Sequence, residues 1–342
     1  MSIRALLILI SAILFSAIVI SQPLLADVTL PFNTQTQIQS DTHNHTHNQN
    51  QTNNLSSPQF PITQNSTKLL HWIPIASKQA LVCDIAFYLN CLNKLPVALA
   101  IQLPKPNKIT TFLGQRTAMV LAVEHQNIAG LIIVSAKSSI PETISSINGV
   151  TYQLDLEEQF KLTLWHEMGH LENIALLGET LPASLSAYEH EWLADIYLVW
   201  RIAQEHKDLD LAWQQFHRRN MDLISDRNNM THWSAPQLQW ILSQYQLNDI
   251  LDFELYSEFV TAIMPILTVP DKTERSEISS LVQRTFSHST LTLPKYMLWR
   301  QQQLIDVIYP TLSMLMGENK AQQWLIEQFP EAEKMLKVAH AE

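Results

Sequence analysis

The chain has 342 residues, of which 46% are hydrophobic, enough apolar content for a folded domain. Its formal net charge of −10 argues against nucleic acid or an anionic membrane as a partner. Only six glycines are present, and no Gly-rich phosphate loop, G-x-S-x-G elbow or Cys-x-x-Cys pair occurs, which argues against nucleotide-binding, serine-hydrolase and dithiol redox functions.

The first 26 residues predict an export signal. Arg4 precedes an apolar run, Ala5 to Ile20, that ends at Ser21. The run is shorter than the roughly 20 residues of a spanning helix, so we expect a signal peptide that is cleaved after Ala26 or Ser21 and a periplasmic or secreted protein. An uncleaved signal anchor in the inner membrane is the alternative, and only in that case is the membrane an expected partner.

Residues 27–67 predict a disordered linker, because Gln, Asn, Thr, Ser and His dominate and large apolar residues are almost absent. Within it, His43, His45 and His47 alternate with polar residues and could bind zinc or copper weakly. A polar spacer with incidental histidines is the simpler interpretation. The segment nevertheless supports an alternative function, that of an exported metal-binding or metal-delivery protein.

Residues 68–150 predict a small lobe of mixed α and β structure. Short apolar runs bounded by turn residues occupy Leu69–Ile75, Val97–Leu103, Ala118–Val123 and Ile128–Ser135, and the last three are predicted as strands. Leu81–Leu95 favours a helix. Ile128–Ser135 is the candidate edge strand, where an extended peptide could add by backbone hydrogen bonds, although a plain scaffold strand is the simpler interpretation.

Cys83 and Cys91 allow a disulfide in an exported protein. In one continuous helix their Cα atoms would lie about 12 Å apart, beyond the limit of about 7 Å for a bridge. A disulfide therefore requires a bend between them. Two small buried thiols are the alternative.

Residues 155–177 predict an amphipathic helix, because large apolar residues recur at helical spacing. Asp155 is the expected N-cap, and Glu157 and Glu158 fall in the first turn, where the helix dipole favours acids. Gly178 follows the last periodic residue, as expected at a helix end.

This helix carries the sequence His-Glu-Met-Gly-His. Its two histidines, His166 and His170, lie four residues apart and therefore share one face one turn apart, as a zinc site requires. Glu167 lies beside them as a candidate general base. Gly169 costs about 1 kcal/mol relative to Ala inside a helix, which favours a close approach of another backbone or of the metal shell at that point.

A capping box of Ser186 and Glu189 predicts the start of a second helix, which extends to about Gln204. On it, Glu191 is the expected third metal ligand, and Asp195 is expected to accept a hydrogen bond from a liganding histidine. Glu189 is the alternative ligand. The residue four positions after it is Leu193, which offers no carboxylate to orient a histidine. Three protein ligands leave one coordination position open, which is typical of catalytic zinc.

The pair of motifs, His-Glu-Met-Gly-His and Glu-Trp-Leu-Ala-Asp, resembles the H-E-x-x-H and E-x-x-x-D pair of the gluzincin metallopeptidases. The E-x-x-A-D form is similar to a membrane-associated branch, and the chain also resembles an exported bacterial metallopeptidase family of unknown function. The resemblance covers a small part of the chain. It implies that His166, His170 and Glu191 bind zinc, that Glu167 is the general base and that Asp195 orients a ligand.

Residues 207–342 predict a helical lobe. Helical periodicity covers Leu209–Ile224, Pro236–Tyr245, Leu251–Leu267, Arg275–Phe286, Lys295–Met316 and Lys320–Val338. A developing oxyanion needs a donor besides the metal, and the candidates are His232, His217 and Tyr256. His232 lies in a polar break between helices, where an ordinary loop histidine is the simpler interpretation.

We therefore expect an α+β, zincin-like fold with a small N-terminal β-containing lobe (68–150), a zinc-binding helix pair (151–206) and a mainly helical C-terminal lobe (207–342), with Zn²⁺ between the lobes. The expected function is zinc-dependent hydrolysis of peptide bonds in a peptide or protein by a metal-activated water, with Glu167 as general base. The alternatives are the metal-delivery protein and an inactive zincin scaffold. The sequence names neither the substrate nor the oligomeric state.

Overall fold

The computed structural model describes residues 70–135, 141–286 and 298–329. They belong to the compact unit Ser57–Glu342. The predicted signal segment and the predicted linker, with His43, His45 and His47, lie outside the described residues. None of the helices within the described ranges is both long and apolar enough to cross a membrane.

A four-stranded sheet forms the first part of the fold. Its strands are β1 (His71–Ile75), β2 (Lys78–Asp84), β3 (Ala118–Ala122) and β4 (Ile128–Val134), in the order β1-β2-β4-β3. The pair β2 and β4 is parallel, and the other two pairs are antiparallel. Thus β4 is an interior strand, and the prediction that 128–135 forms an edge was wrong. Its nearly continuous apolar sequence fits a strand that is buried on both faces.

Three short helices connect β2 to β3 and cover one face of the sheet: α1 (Tyr88–Leu92), α2 (Val97–Ala100) and α3 (Pro106–Leu113). We call residues 85–116, which contain them, the outer layer. The predicted strand at 97–103 was wrong, because the chain turns helical directly after Pro96 and buries only Leu99 of α2. The predicted helix over 81–95 forms only from Tyr88 onward, since the preceding residues complete β2.

Cys83 and Cys91 form a disulfide, with their Cα atoms 6.1 Å apart. The bend that this bridge requires is a short 3-10 turn, Ile85–Phe87, between β2 and α1. Asp84 caps this turn by accepting a hydrogen bond from the Ala86 amide at 2.8 Å. The disulfide therefore ties the outer layer to the sheet.

The sheet divides the core into two clusters, because alternate residues of a strand face opposite sides. Leu81, Cys83, Leu131 and Ile133 pack against the outer layer. Ala80, Val82, Ile132 and Val134 face the helical part of the chain. Each face of the sheet is thus covered by helices.

A hairpin that was not predicted follows the sheet. Its strands are β5 (Glu142–Ile147) and β6 (Val150–Asp155), joined by Asn148 and Gly149 with φ values of 50° and 75°. Asn-Gly is a strong hairpin signal because both turn residues tolerate positive φ. Asp155 belongs to β6, so its prediction as a helix N-cap was wrong.

The helix that carries the two histidines is α4 (Gln159–Ala175). It begins four residues later than predicted, after Glu158 in a left-handed conformation, and has no acidic residue in its first turn. It ends at the C-cap Leu176, and Gly178 then adopts a φ of 78°. One side of α4 contacts β1, β3 and β4, and another contacts the next helix.

The remaining helices confirm the α+β class, with the helices concentrated in the C-terminal part. They are α5 (Ala187–His206), α6 (Asp210–Ser225), α7 (Ala235–Gln244), α8 (Leu247–Leu251), α9 (Tyr256–Ile263), α10 (Lys272–Phe286), α11 (Leu298–Met316) and α12 (Glu318–Gln328). The helix predicted over 251–267 forms only as α9, because a break at 252–255 separates it from α8. The N-terminal end of predicted helix 295–316 and the C-terminal end of 320–338 lie outside the described residues.

Candidate metal centre

Helices α4 and α5 approach each other closely at Gly169. A Cβ atom at this position would lie 2.8 Å from the Ala194 carbonyl oxygen and 3.0 Å from the Ala194 Cα atom. No real side chain tolerates such a contact with backbone, so the glycine permits the helix crossing. The close backbone approach expected from the sequence is therefore present, and it brings the second helix against the two histidines.

His166, His170 and Glu191 converge at this crossing. His166 Nε2 lies 3.3 Å from Glu191 Oε2, and His170 Nε2 lies 3.8 Å from Glu191 Oε1. One donor atom from each of the three residues falls within 4.8 Å of the other two, so the group could hold a metal ion. The three side chains are only 12–17% exposed.

The rival acid Glu189 is used elsewhere. Its carboxylate accepts a hydrogen bond from the Ser186 amide at 2.6 Å, while the Ser186 hydroxyl accepts one from the Glu189 amide at 3.2 Å. The predicted capping box is thus present and begins α5. It holds the Glu189 carboxylate at the helix start and leaves Glu191 to face the histidines.

Asp195 fixes the orientation of His166. Its Oδ1 lies 2.8 Å from His166 Nδ1, which must carry the proton because a carboxylate can only accept. In the neutral form of the ring, which metal binding requires, this leaves Nε2 as the atom with a free lone pair, on the side of Glu191. The hydrogen bond expected between Asp195 and a histidine of the motif is therefore formed.

A buried network holds Asp195 in turn. Arg219 of α6 donates to both carboxylate oxygens, at 2.7 Å from Nε and 3.0 Å from Nη2. Gln215 Nε2 donates at 3.0 Å, and the Ser234 hydroxyl donates to Oδ2. Asp195 and Ser234 are fully buried, and Arg219 and Gln215 are nearly so. The acid is therefore rigidly placed by donors from three other elements.

These contacts set the charges around the histidines. Burial would raise the pKa of Asp195, but the charges of Arg219 and His166 hold it well below its usual range. Burial lowers the pKa of His170 to about 3. Burial also opposes protonation of His166, but Asp195 and Glu191 outweigh it and raise the pKa of this ring to about 9. Of the two histidines, His166 is thus the one whose protonated form the neighbouring acids stabilise more strongly.

Glu167 is buried beside the cluster on α4. Burial raises its pKa to about 7, with the negative charge of Glu191 acting in the same direction and the positive charges of His166 and Arg116 opposing it. A carboxyl group with a pKa in this range can both accept and release a proton near neutral pH.

Of the three predicted oxyanion donors, the structure brings only His232 to the site. It lies at the end of a 3-10 turn (Arg227–His232), with Nε2 3.6 Å from Glu191 Oε1, and is 45% exposed. His217 instead contacts the Thr311 hydroxyl at 3.0 Å. Tyr256 donates to Asn173 Oδ1 at 2.7 Å inside the core. Both candidates are thus engaged by partners other than the proposed metal ligands.

Arg219, Gln215 and Ser234 were not predicted from the sequence. Arg219 and Gln215 lie in an amphipathic helix, where polar residues ordinarily form the solvated face, and Ser234 lies in a loop. Local patterning offers no signal that these residues turn inward toward an acid on another helix.

The environment of one Glu191 oxygen also favours a bound metal ion. Glu191 Oε2 is buried and accepts no well-aligned hydrogen bond from the described residues, although His166 Nε2 lies 3.3 Å from it. A buried carboxylate oxygen without a donor is costly, and a cation would satisfy it.

Comparison of the chain with protein-family models, with curated proteins and with solved structures gives no match.

Proposed function

We propose that the chain is an exported zinc peptidase of the zincin type. His166, His170 and Glu191 are its metal ligands, and Glu167 is its general base. The observation that carries this proposal is the convergence of two imidazoles and one carboxylate from adjacent helices, with a second carboxylate buried beside them.

Zinc is the metal that suits this donor set best. Two ligands bound to one tetrahedral zinc at about 2.0–2.1 Å lie about 3.3 Å apart, close to the 3.3 and 3.8 Å that separate the Glu191 oxygens from the histidine nitrogens. Calcium and magnesium prefer sites made of oxygen ligands alone. Three ligands from the protein leave a fourth position for water or substrate.

The side chains divide the work of amide hydrolysis. When bound, zinc polarises the substrate carbonyl and lowers the pKa of water. Glu167 takes a proton from the attacking water and returns it to the leaving amine. His232, exposed beside Glu191, donates to the oxygen on which negative charge develops. Asp195 and Arg219 keep His166 in one orientation.

The substrate in this proposal is an extended peptide. Strand β3 is an edge of the sheet and contacts α4, so a peptide that pairs with β3 would lie alongside the helix of the metal centre. This replaces β4 as the candidate edge. The disulfide between Cys83 and Cys91 supports export to an oxidising compartment such as the periplasm.

Zinc content and turnover of four variants test the proposal. The wild-type chain without its signal segment is expected to hold one zinc, and His166→Ala and Glu191→Gln are expected to lose it. Glu167→Gln should keep zinc but not cleave a peptide library. Glu189→Gln, which alters an acid two residues from Glu191 in the capping box, is the matched control and should retain zinc and activity.

Zinc that persists in Glu191→Gln would disprove the ligand set. Zinc that is lost when His43, His45 and His47 are changed to Ala, with no effect of His166→Ala, would instead favour the metal-delivery protein. If Glu167→Gln and wild type both hold zinc and neither cleaves the library, the inactive scaffold is favoured.

A further inference from the structure

Charge is unevenly distributed along this acidic chain. Between Asp84 and Glu124 the sequence contains no Asp or Glu, although the whole chain has a net charge of −10. The same stretch contains Lys94, Lys105, Lys108 and Arg116, and all four side chains are exposed. Asp84 itself is buried. The outer layer is therefore a positively charged region with no acidic group of its own.

The outer layer also exposes large apolar side chains. They are Phe87 (40% exposed), Leu89 (61%), Val97 (78%), Ile101 (78%) and Phe112 (40%). Single exposed apolar residues are ordinary, but five within 26 consecutive positions place a large amount of apolar surface on one layer. Apolar surface of this kind in a folded protein marks interaction surfaces.

These side chains cannot turn inward, because other residues of the same helices already fill the core beneath them. Tyr88 and Cys91 of α1, Leu99 of α2 and Ile109 of α3 are buried against the sheet, and Leu113 of α3 is buried as well. The disulfide between Cys83 and Cys91 ties this arrangement to β2. The exposed apolar residues are thus a fixed property of the folded layer.

We propose that the outer layer docks onto the surface of an anionic lipid bilayer. Apolar side chains such as Leu89 and Ile101 enter the boundary between headgroups and acyl chains, and the lysines attract the anionic headgroups. The absence of acids fits this partner, because a carboxylate at that surface would be repelled. The charge of the whole chain does not oppose docking through one face, since screening limits its reach to about 8–10 Å.

Charge also decides against a second copy of the chain as the occupant. Two outer layers face to face would bring together eight basic side chains with no acid between them. An anionic bilayer supplies the complementary charge over a large area.

If the outer layer docks onto the bilayer, α4 lies on the opposite face of the sheet. The outer layer packs on one face of the sheet, and α4 packs on the other. The three lysines and the exposed apolar residues of the outer layer are therefore on the opposite face from α4, whereas Arg116, at the end of the layer, is close enough for its charge to act on Glu167. The inference does not depend on the proposed function.

Vesicle sedimentation of the compact unit Ser57–Glu342 tests this inference. The unit contains every described core residue and lacks the apolar run at Ala5–Ile20, which could bind lipid by itself. It is expected to sediment with vesicles that contain phosphatidylglycerol, to bind them more weakly at high salt, and to remain in solution with pure phosphatidylcholine vesicles.

Two sets of variants, each with a matched control, locate the surface. Changing Lys94, Lys105 and Lys108 to Glu should lower binding on the order of a hundredfold, since each lysine contributes about fivefold before reversal is counted. The charge control changes Lys207, Lys272 and Lys320 to Glu, and all three are exposed outside the outer layer.

The apolar set changes Leu89, Val97 and Ile101 to Ser and should lower binding at least tenfold. Its control changes Leu255, Ile266 and Ile326 to Ser, which are 59%, 56% and 37% exposed. Thermal unfolding confirms that each variant is folded. The inference is overturned if wild type does not sediment with anionic vesicles, if both sets bind like their controls, or if ultracentrifugation shows a dimer that only the apolar set abolishes.

Discussion

The candidate metal centre and the outer layer depart in opposite ways from the usual distribution of side chains, which buries apolar groups and leaves charges in water. The metal centre buries charged groups, among them Asp195 and Arg219. The outer layer exposes large apolar groups, among them Val97 and Ile101. One region places polar atoms where water does not reach, and the other presents apolar atoms to the solvent.

The difference lies in how each departure is compensated. The Asp195 carboxylate is paired with Arg219 and hydrogen-bonded to His166 inside the protein, so the cost of its burial is offset within the fold and its geometry becomes rigid. The apolar side chains of the outer layer have their compensation outside the chain, in a partner that removes them from water. Changes in the first region should therefore alter both stability and metal binding, and changes in the second should spare the metal.

Arg219→Met has the largest expected effect on stability. It leaves the Asp195 carboxylate buried without its charge partner, which typically costs about 3–5 kcal/mol. Zinc affinity should also fall about 10–100-fold, because His166 loses its fixed orientation. Chemical denaturation and zinc titration measure the two effects. Arg201→Met breaks a more exposed pair with Glu205 and should cost less than about 1 kcal/mol without altering zinc binding.

Replacement of Cys83 and Cys91 by Ala should destabilise the protein by about 2–3 kcal/mol, the value expected for a short closed loop. Zinc affinity should not change, since the disulfide joins β2 to the outer layer on the opposite face of the sheet from α4. A reductant should destabilise the wild type by a similar amount and leave the double variant unaffected. Zinc loss in the double variant would show that the two regions are coupled.

The sign of the stability change in Gly169→Ala tests the close approach of α4 and α5. Helix propensity alone predicts a gain of about 1 kcal/mol, whereas the contact with the Ala194 carbonyl predicts a net loss of about 1–3 kcal/mol and weaker zinc binding. Gly178→Ala is the control, because its Cβ would meet no atom within 4 Å although its φ is 78°. The control should lose some stability and keep its zinc affinity. A stabilised Gly169→Ala protein would contradict the close approach.

His232→Ala should change stability least, by less than about 0.5 kcal/mol, because the side chain is 45% exposed. Under the proposed function it should lower kcat about 10²-fold with zinc retained, as expected when one oxyanion donor is removed. His217→Ala, which removes a histidine that contacts Thr311, should leave turnover unchanged. Loss of zinc in His232→Ala would instead identify His232 as a fourth ligand that closes the site.

Local sequence determined several elements of the candidate site. The spacing of four residues placed His166 and His170 on one face of a helix, and the capping box marked where α5 begins. The preference for Glu191 over Glu189 also came from local reasoning, since only Glu191 has an acid one turn later. These features depend on contacts within one helical turn, which a sequence displays directly.

Two errors in the lobe that contains the sheet had different causes. The turn residues Asn148 and Gly149 do carry a local signal, so the hairpin of β5 and β6 could have been predicted. The position of β4 inside the sheet could not, because sheet order depends on pairing between segments far apart in the chain. An apolar run predicts that a strand forms, but it does not indicate which strands pair with it.

By itself, then, the sequence determined the histidine pair, the acid on the next helix and the glycine that lets the two helices meet, because each depends on helical spacing or on the absence of a side chain. Tertiary structure alone decided that Arg219 and Ser234 surround Asp195, and that Leu89 and Ile101 remain in solvent. An arginine or an isoleucine on an amphipathic helix has the same local pattern whether it faces an acid, a core or water. Only the packing of distant elements determines which of these it meets.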